Sequence, residues 1–150
     1  MEIKQVKSRD LNDIVNLEQK IFKEDAFSKN LIKKLIKTNL LFLKLELNKV
    51  RKRIIGFIIV IKVRNDTVNI VNFLIDLKFQ NKGYGSYLLQ QTIEQIKKLN
   101  YIKKIVLNVQ LSNSIAISLY EKFYFKRNPT ILKEYYQSGE SAYLMELNID

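Results

Sequence analysis

The 150-residue chain has no cysteine and no histidine, one proline and four glycines. Without cysteine there is no disulfide, no thiolate metal site and no thiol nucleophile. Without histidine the commonest general base, zinc sites built on imidazole and the Ser-His-Asp triad all drop out. No run is long and apolar enough to span a bilayer. The opening Met1-Glu2-Ile3-Lys4 lacks the apolar segment of a signal peptide. Together these absences predict a metal-free, cytoplasmic protein that does not enter a membrane.

Acid is also scarce: 15 Asp and Glu stand against 26 Lys and Arg, a net charge of +11. Such an excess suits contact with nucleic acid or a ribosome, attraction for an anionic cofactor, or a solubilising lysine-rich surface. Most of the cations are scattered lysines. The densest run, Lys49-Val50-Arg51-Lys52-Arg53, precedes an apolar stretch and reads as a charged hairpin turn. No basic element interleaved with aromatics and no zinc-finger spacing is present, so direct nucleic-acid binding is not expected.

The chain is nevertheless 47% apolar, enough for one domain over residues 1–150 with its own core. Residues 1–6 read as a strand. Ser8-Arg9-Asp10-Leu11 opens a helix with Ile14, Val15, Leu17, Ile21 and Phe22 on one stripe. Ser28 caps a second helix with an apolar face of Leu31, Ile32, Leu35 and Ile36. Strands follow at 40–47, 54–63 and 68–75, the last two joined as a hairpin at Asn65-Asp66. Tyr84, Leu88, Leu89, Thr92, Ile93, Ile96 and Leu99 repeat at helical spacing. Residues 103–109 return to strand character, and Ser112 caps a helix carrying Ile115, Ala116, Leu119, Tyr120 and Phe123. Asn128-Pro129 breaks the chain. Two closing strands, 131–136 and 142–149, flank the turn Gln137-Ser138-Gly139-Glu140. The order predicts a mixed α/β domain rather than a doubly wound dinucleotide fold.

Two of the four glycines lie one residue apart in Phe79-Gln80-Asn81-Lys82-Gly83-Tyr84-Gly85, between the apolar run 70–77 and the helical pattern 86–99. So sparse a turn exposes consecutive backbone N–H groups, and the helix start adds unpaired donors and a partial positive charge. It reads as a seat for a pyrophosphate. It lacks both the Rossmann spacing and the Gly-Lys-Ser/Thr ending of a nucleoside-triphosphate loop. Lys82 adds charge, and Gln80 either faces the phosphates or closes the turn. Downstream, Asn113 either caps a helix or faces a ligand. Tyr120, close to two helical turns further on, either fills the core or aims a phenol at a leaving group.

On these residues the chain resembles the GCN5-related N-acetyltransferases (GNAT), and within them the branch that acetylates protein N-termini. Gln80, Gly83 and Gly85 fit the superfamily turn: Gln or Arg, two residues, Gly, one residue, Gly or Ala. Ser112, Asn113, Ala116, Leu119, Tyr120 and Phe125 fit the branch, as do Tyr135-Tyr136, Glu140, Ala142 and Met145 in its tail. The resemblance implies an α/β (mixed α+β) fold. Its central sheet is mostly antiparallel, with about four helices and one parallel strand pair that splays near residues 74–78 and 107–110. It implies acetyl-CoA as cofactor, the pyrophosphate on Gln80, Asn81, Lys82, Gly83, Tyr84, Gly85 and Ser86, the pantetheine arm beside Ile75 and Leu77. Asn113 would hold that arm or an ordered water, and Tyr120 would face the sulfur as the acid. The implied acceptor is the α-amine of a protein N-terminus, a ribosomal protein being one such target, with Phe27, Asn108, Tyr135 and Tyr136 on the acceptor side. Monomer and subunit of a complex both occur among such enzymes.

The departures from the branch bear on the base. Asn108 stands where bacterial ribosomal-protein alanine acetyltransferases carry a glutamate and some eukaryotic relatives a histidine. The resemblance then points to the loop 22–27, with Glu24 as the base, Asp25 and Glu18 as alternatives, or a chain of waters to bulk. Ala26-Phe27 replaces Pro-Trp, Phe79 replaces a tyrosine, and Tyr124 stands where glycine is usual. A GNAT acting on a lysine side chain or a small-molecule amine, and a CoA-binding module with weak or lost turnover, are the competing expectations.

Overall fold

The structure, a computed structural model, describes residues 1–47 and 50–149. Lys49 of the basic run therefore lies outside the described residues, and Arg53 already belongs to a strand. The β-branched runs build the middle of a seven-stranded sheet: β1 (Glu2–Gln5), β2 (Leu41–Leu47), β3 (Arg53–Arg64), β4 (Thr67–Ile75), β5 (Lys104–Gln110), β6 (Lys126–Leu132) and β7 (Ala142–Asn148), in the order β1-β2-β3-β4-β5-β7-β6. All neighbours pair antiparallel except β4 and β5. β3 is buried without interruption from Ile54 to Val60, as a central strand covered on both faces must be.

Four helices supply the cover: α1 (Leu11–Phe22), α2 (Lys29–Thr38), α3 (Tyr84–Lys98) and α4 (Ser114–Lys122). The apolar stripes of α1 and α2 (Ile14, Leu17, Ile32, Leu35) meet Phe42, Phe57 and Leu74 on one face of the sheet. α3 and α4 bring Leu88, Leu89, Ile96 and Ile117 against Ile55, Ile58 and Ile105 on the other. Ser28 caps α2 as expected, its side chain accepting the Leu31 N–H at 3.1 Å. No helix among the described residues is long and apolar enough to cross a membrane.

The parallel pair runs only from Thr67↔Lys104 to Ile70↔Leu107. Beyond that point β4 stays on β3 and β5 stays on β7, so the two strands part, slightly earlier than the sequence suggested. The cause is local. Ile59 faces Asn72 while Val60 faces Ile70, so Val71 is an extra residue in β4. A bulge of this kind bends its strand and increases its twist. It also resets the alternation of faces, so Ile70 and Phe73 point toward the α3/α4 core while Asn72 and Leu74 point toward α1.

Gly56 of β3 is glycine for want of room. A Cβ there would lie 2.6 Å from Ile75 Cδ1 and 2.7 Å from the Leu74 carbonyl oxygen. Gly56→Ala should lower unfolding stability by about 1–3 kcal/mol. An unchanged urea midpoint would refute the contact.

Three expectations at the C-terminal end are corrected. Asn113, not Ser112, caps α4, its Oδ1 accepting the Ala116 N–H at 3.2 Å, while Ser112 donates through N–H and Oγ to the Glu140 carboxylate. Asn128-Pro129 does not break the chain. It lies within β6, where the pairing with β7 slips between Arg127 and Ile131 and Asn128 Oδ1 takes the Thr130 N–H. β6 is an edge strand, where a missing N–H costs no ladder bond. Tyr135 and Tyr136 lie in the loop between β6 and β7, not on a strand.

α4 ends with the Phe125 N–H on the Tyr120 carbonyl and the Tyr124 N–H on the Glu121 carbonyl, a pattern that needs a left-handed residue at position 124. Tyr124 adopts it with φ 71° and a side chain 80% exposed. Tyr124→Gly should therefore raise stability, by about 0.5–1 kcal/mol after glycine's greater chain entropy is counted. A lower thermal midpoint would show that the tyrosine ring contributes something the strain hides.

Candidate active site

β4 leads into the glycine turn through Asp76, which is 2% exposed. Burial alone would raise its carboxyl. The Lys78 N–H at 3.2 Å, Lys20 Nζ at 3.2 Å and Arg53 Nη2 at 3.3 Å outweigh burial and hold it below the ordinary aspartate value. These contacts pin the turn to α1 and β3. Gln80 closes the turn rather than facing outward, its Nε2 donating to the Ile75 carbonyl at 2.9 Å. Asn81 (φ 61°) and Gly83 (φ 86°) take left-handed conformations that swing the chain into α3. The first helical bond there runs from the Tyr87 N–H to the Gly83 carbonyl. The N–H groups of residues 83–86 precede it, no side chain caps them, and the first turn of α3 carries no acid. A helix start so arranged can seat an anion.

A groove of about 650 Å³ opens from this seat, bounded by Leu74, Ile75, Gln80, Asn81, Gly83, Gly85 and Ser86 on one side and by Asn113, Ala116, Leu119 and other α4 residues on the other. Gly85 lets α3 approach so closely that a Cβ would sit 3.4 Å from Leu119 Cδ2. Leu77 and Lys82 are exposed, and Tyr84 packs on Phe79 at a ring distance of 6.2 Å, so these three flank the groove without lining it. Along the groove, the Asp76 N–H to Ile55 carbonyl bond sets the antiparallel alternation, which leaves Phe73 and Ile75 facing away from β3. On this edge, which β5 has left, Asn72 Oδ1 takes the Phe73 N–H and Gln80 the Ile75 carbonyl, and the Phe73 carbonyl and Ile75 N–H face the groove without a partner among the described residues.

A second, smaller cavity of about 80 Å³ lies in the splay itself, between residues 70–73 and 108–110. Phe22, Phe27, Tyr120, Tyr136, Glu18 and Asp25 complete its wall. It shares Phe22, Phe73, Asn113 and Ala116 with the groove, so the two meet there. Tyr120 is buried, its ring packed between Phe73 at 6.2 Å and Phe125 at 5.6 Å. Burial raises its phenol above the usual value, and no group among the described residues bonds its hydroxyl. Tyr120 therefore stays protonated at any physiological pH.

The acids sort differently from the sequence expectation. Glu24 is exposed and lines neither cavity, whereas Asp25 and Glu18, its alternatives, line the inner one. Lys23, at φ 52° and ψ −117°, turns the chain at the end of α1 and separates the two neighbours. Asp25 accepts the Ser138 N–H at 2.9 Å, Ser138 Oγ at 2.8 Å and Gln110 Nε2 at 2.8 Å, tying this turn to β5 and to the β6–β7 loop. Glu18 is 1% exposed and accepts the Phe27 N–H at 2.8 Å and Asn72 Nδ2 at 2.6 Å. Burial raises its carboxyl; the two donors act against the rise. Asn108 donates to Tyr135 Oη at 3.0 Å, and Tyr135 meets Tyr136 edge to face at 5.0 Å. Of that pair only Tyr136 lines the cavity.

Asn72, Phe73, Phe22 and Gln110 line these cavities and were not singled out in the sequence. Asn72 did leave a signal: with Asn69, it is one of two carboxamides inside a largely apolar strand.

The groove and cavity fall in a chain with recognisable relatives. An N-alpha-acetyltransferase of Sulfolobus acidocaldarius is 40% identical over 77 residues, 51% of this chain and 45% of that protein. This chain thus spans less than half the length of that curated relative. The ribosomal-protein-S18-alanine N-acetyltransferase structure from Escherichia coli superposes with TM-score 0.86 at 28% identity, over 99% of this chain and 94% of that one. The Ard1 structure from Thermoplasma volcanium shares the fold, with TM-score 0.88 at 23% identity over 99% and 97% of the two chains. Residues 10–125, which carry the groove and all of the inner cavity's lining but Tyr136, match the acetyltransferase (GNAT) family, and the chain belongs to that family.

Proposed function

We propose that the protein moves an acetyl group from acetyl-CoA to the free α-amine of a protein N-terminus. The observation that carries this reading is the junction at Phe73, Asn113 and Ala116, where a groove ending on bare helix-start amides meets an acid-lined cavity with a phenol in its wall. The groove's volume, its apolar walls and the absence of acid in the first turn of α3 fit CoA and its diphosphate. The names of the Sulfolobus and E. coli relatives support the choice of acceptor, a ribosomal protein included.

Acetyl-CoA, when bound, supplies an activated acetyl carbonyl. The N–H groups of residues 83–86 would hold the diphosphate, and the Phe73 carbonyl and Ile75 N–H would align the arm. The amine enters beside Asp25 and Glu18, in a cavity whose described lining contains no Lys or Arg. An α-amine has a pKa of about 7.7–8.0 against about 10.4 for lysine, so it surrenders its proton near neutrality with little help. Asp25, at the mouth, is placed to pass that proton to solvent; Asn108 has no basic site for it. As the new C–N bond formed and the C–S bond broke, Tyr120 would donate its proton to the sulfur and take up the one that the attacking nitrogen sheds.

Acetyl-CoA and a panel of peptides with different first residues test the reading, with mass mapping of the acetyl group. Product on the α-amine is expected. A folded, CoA-binding sample that acetylates no α-amine would overturn it. The acidic cavity also suits a small polyamine, so spermidine belongs in the panel; product on it alone would replace the peptide reading.

A further inference from the structure

Glu18 is a buried carboxylate with no lysine or arginine in ion-pair contact among the described residues. Two hydrogen bonds end on it, and a third continues the series through Asn72. The Phe27 N–H donates to Oε2 at 2.8 Å, Asn72 Nδ2 donates to Oε1 at 2.6 Å, and Asn72 Oδ1 accepts the Phe73 N–H at 2.9 Å. The last bond exists because of the splay. In a continuous parallel pair the Phe73 N–H would go to β5; the bulge at Val71 leaves it unclaimed, and Asn72 curls round to take it. The series thus spans three elements: α1, the segment leading into α2, and β4. Phe27, Asn72 and Phe73 all line the inner cavity. A carboxylate only accepts and a backbone N–H only donates, so the direction of every link is fixed.

Resting on the amine-acetylation reading, we propose that Glu18 is a positioning residue, setting the acceptor lip at Phe27 and the backbone of β4 at Phe73 from one point. It holds the two walls at a fixed separation and touches neither the cofactor seat nor the sulfur. Movement of the lip relative to β4 breaks at least one of its bonds.

The test is Glu18→Gln alone and combined with Asn72→Asp. The introduced carboxamide must turn a donor toward either the Phe27 N–H or Asn72 Nδ2. Flipping Asn72 only moves the conflict to the Phe73 N–H. In the double variant the carboxamide donates to the introduced aspartate, whose other oxygen takes the Phe73 N–H, and every link is restored. Expected for Glu18→Gln is an acceptor KM raised about tenfold, the scale of one unpaired buried donor. CoA affinity should stay within about twofold, because the anion seat lies elsewhere. Amide exchange at Phe27 or Phe73 should accelerate, and the double variant should recover both KM and protection. An unchanged KM in the single variant, or a double variant as impaired as the single, would overturn the proposal. If the parent protein acetylates no α-amine, the functional reading fails instead. Amide exchange then still decides the relay, since unaltered protection of Phe27 and Phe73 in Glu18→Gln would refute it.

Discussion

With Gly83 changed to aspartate, calorimetry should show CoA binding weakened by about 100-fold or more, the scale of losing two charge-assisted hydrogen bonds. The fold should survive. A Cβ at this position meets nothing within 4 Å, and its φ of 86° is one that aspartate tolerates better than most residues. The strain is about 1–2 kcal/mol, partly offset because an aspartate at a helix N-cap accepts from the first-turn amides. That same capping causes the functional loss. The introduced carboxylate takes up the donors that would face the diphosphate and sets a negative charge beside it. Gly83→Asn separates the two effects, occupying the donors without the charge, and should fall between parent and aspartate. Parent-like affinity in the aspartate variant would mean that the diphosphate lies elsewhere.

Tyr120→Phe should lower kcat by about 100-fold, within the usual range for a positioned proton donor, and leave CoA affinity within about twofold. The ring is held by Phe73 and Phe125, and those contacts remain in the variant. The hydroxyl has no hydrogen bond to lose among the described residues, so stability should hold or rise slightly. Burial raises the phenol, so its acid form persists across the range where the protein can be assayed. Loss of rate on the alkaline side should therefore not be traceable to Tyr120. Equal kcat in parent and variant would remove it from the chemistry and leave it as packing.

The parts of this fold legible in the sequence are those fixed by near neighbours. β3 announces itself by uninterrupted branched residues, the hairpin to β4 by Asn65-Asp66, and the anion seat by two glycines between a strand and a helix. The acceptor side is legible only in outline, because it is assembled from distant segments. Gln110 reaches Asp25 across 85 positions and Ser138 reaches it across 113, so nothing local says that Asp25 turns inward and Glu24 outward. Tyr135-Tyr136 reads as strand because tyrosine favours strands, but the loop is shaped by the bonds of its Ser138 to Asp25 and of its Glu140 to Ser112. Ser112 and Asn113 are both good caps; which of them caps α4 depends on Glu140, 28 positions from Ser112, claiming the serine.

Val71 has no counterpart on β3. Remove it and the alternation would run true, β4 could follow β5 to its end, and the sheet would close like a zip. The opening in which this chain works is thus a matter of arithmetic. Where Ile59 and Val60 follow one another on β3, β4 spends one residue more, and the discrepancy is left as a gap wide enough for chemistry.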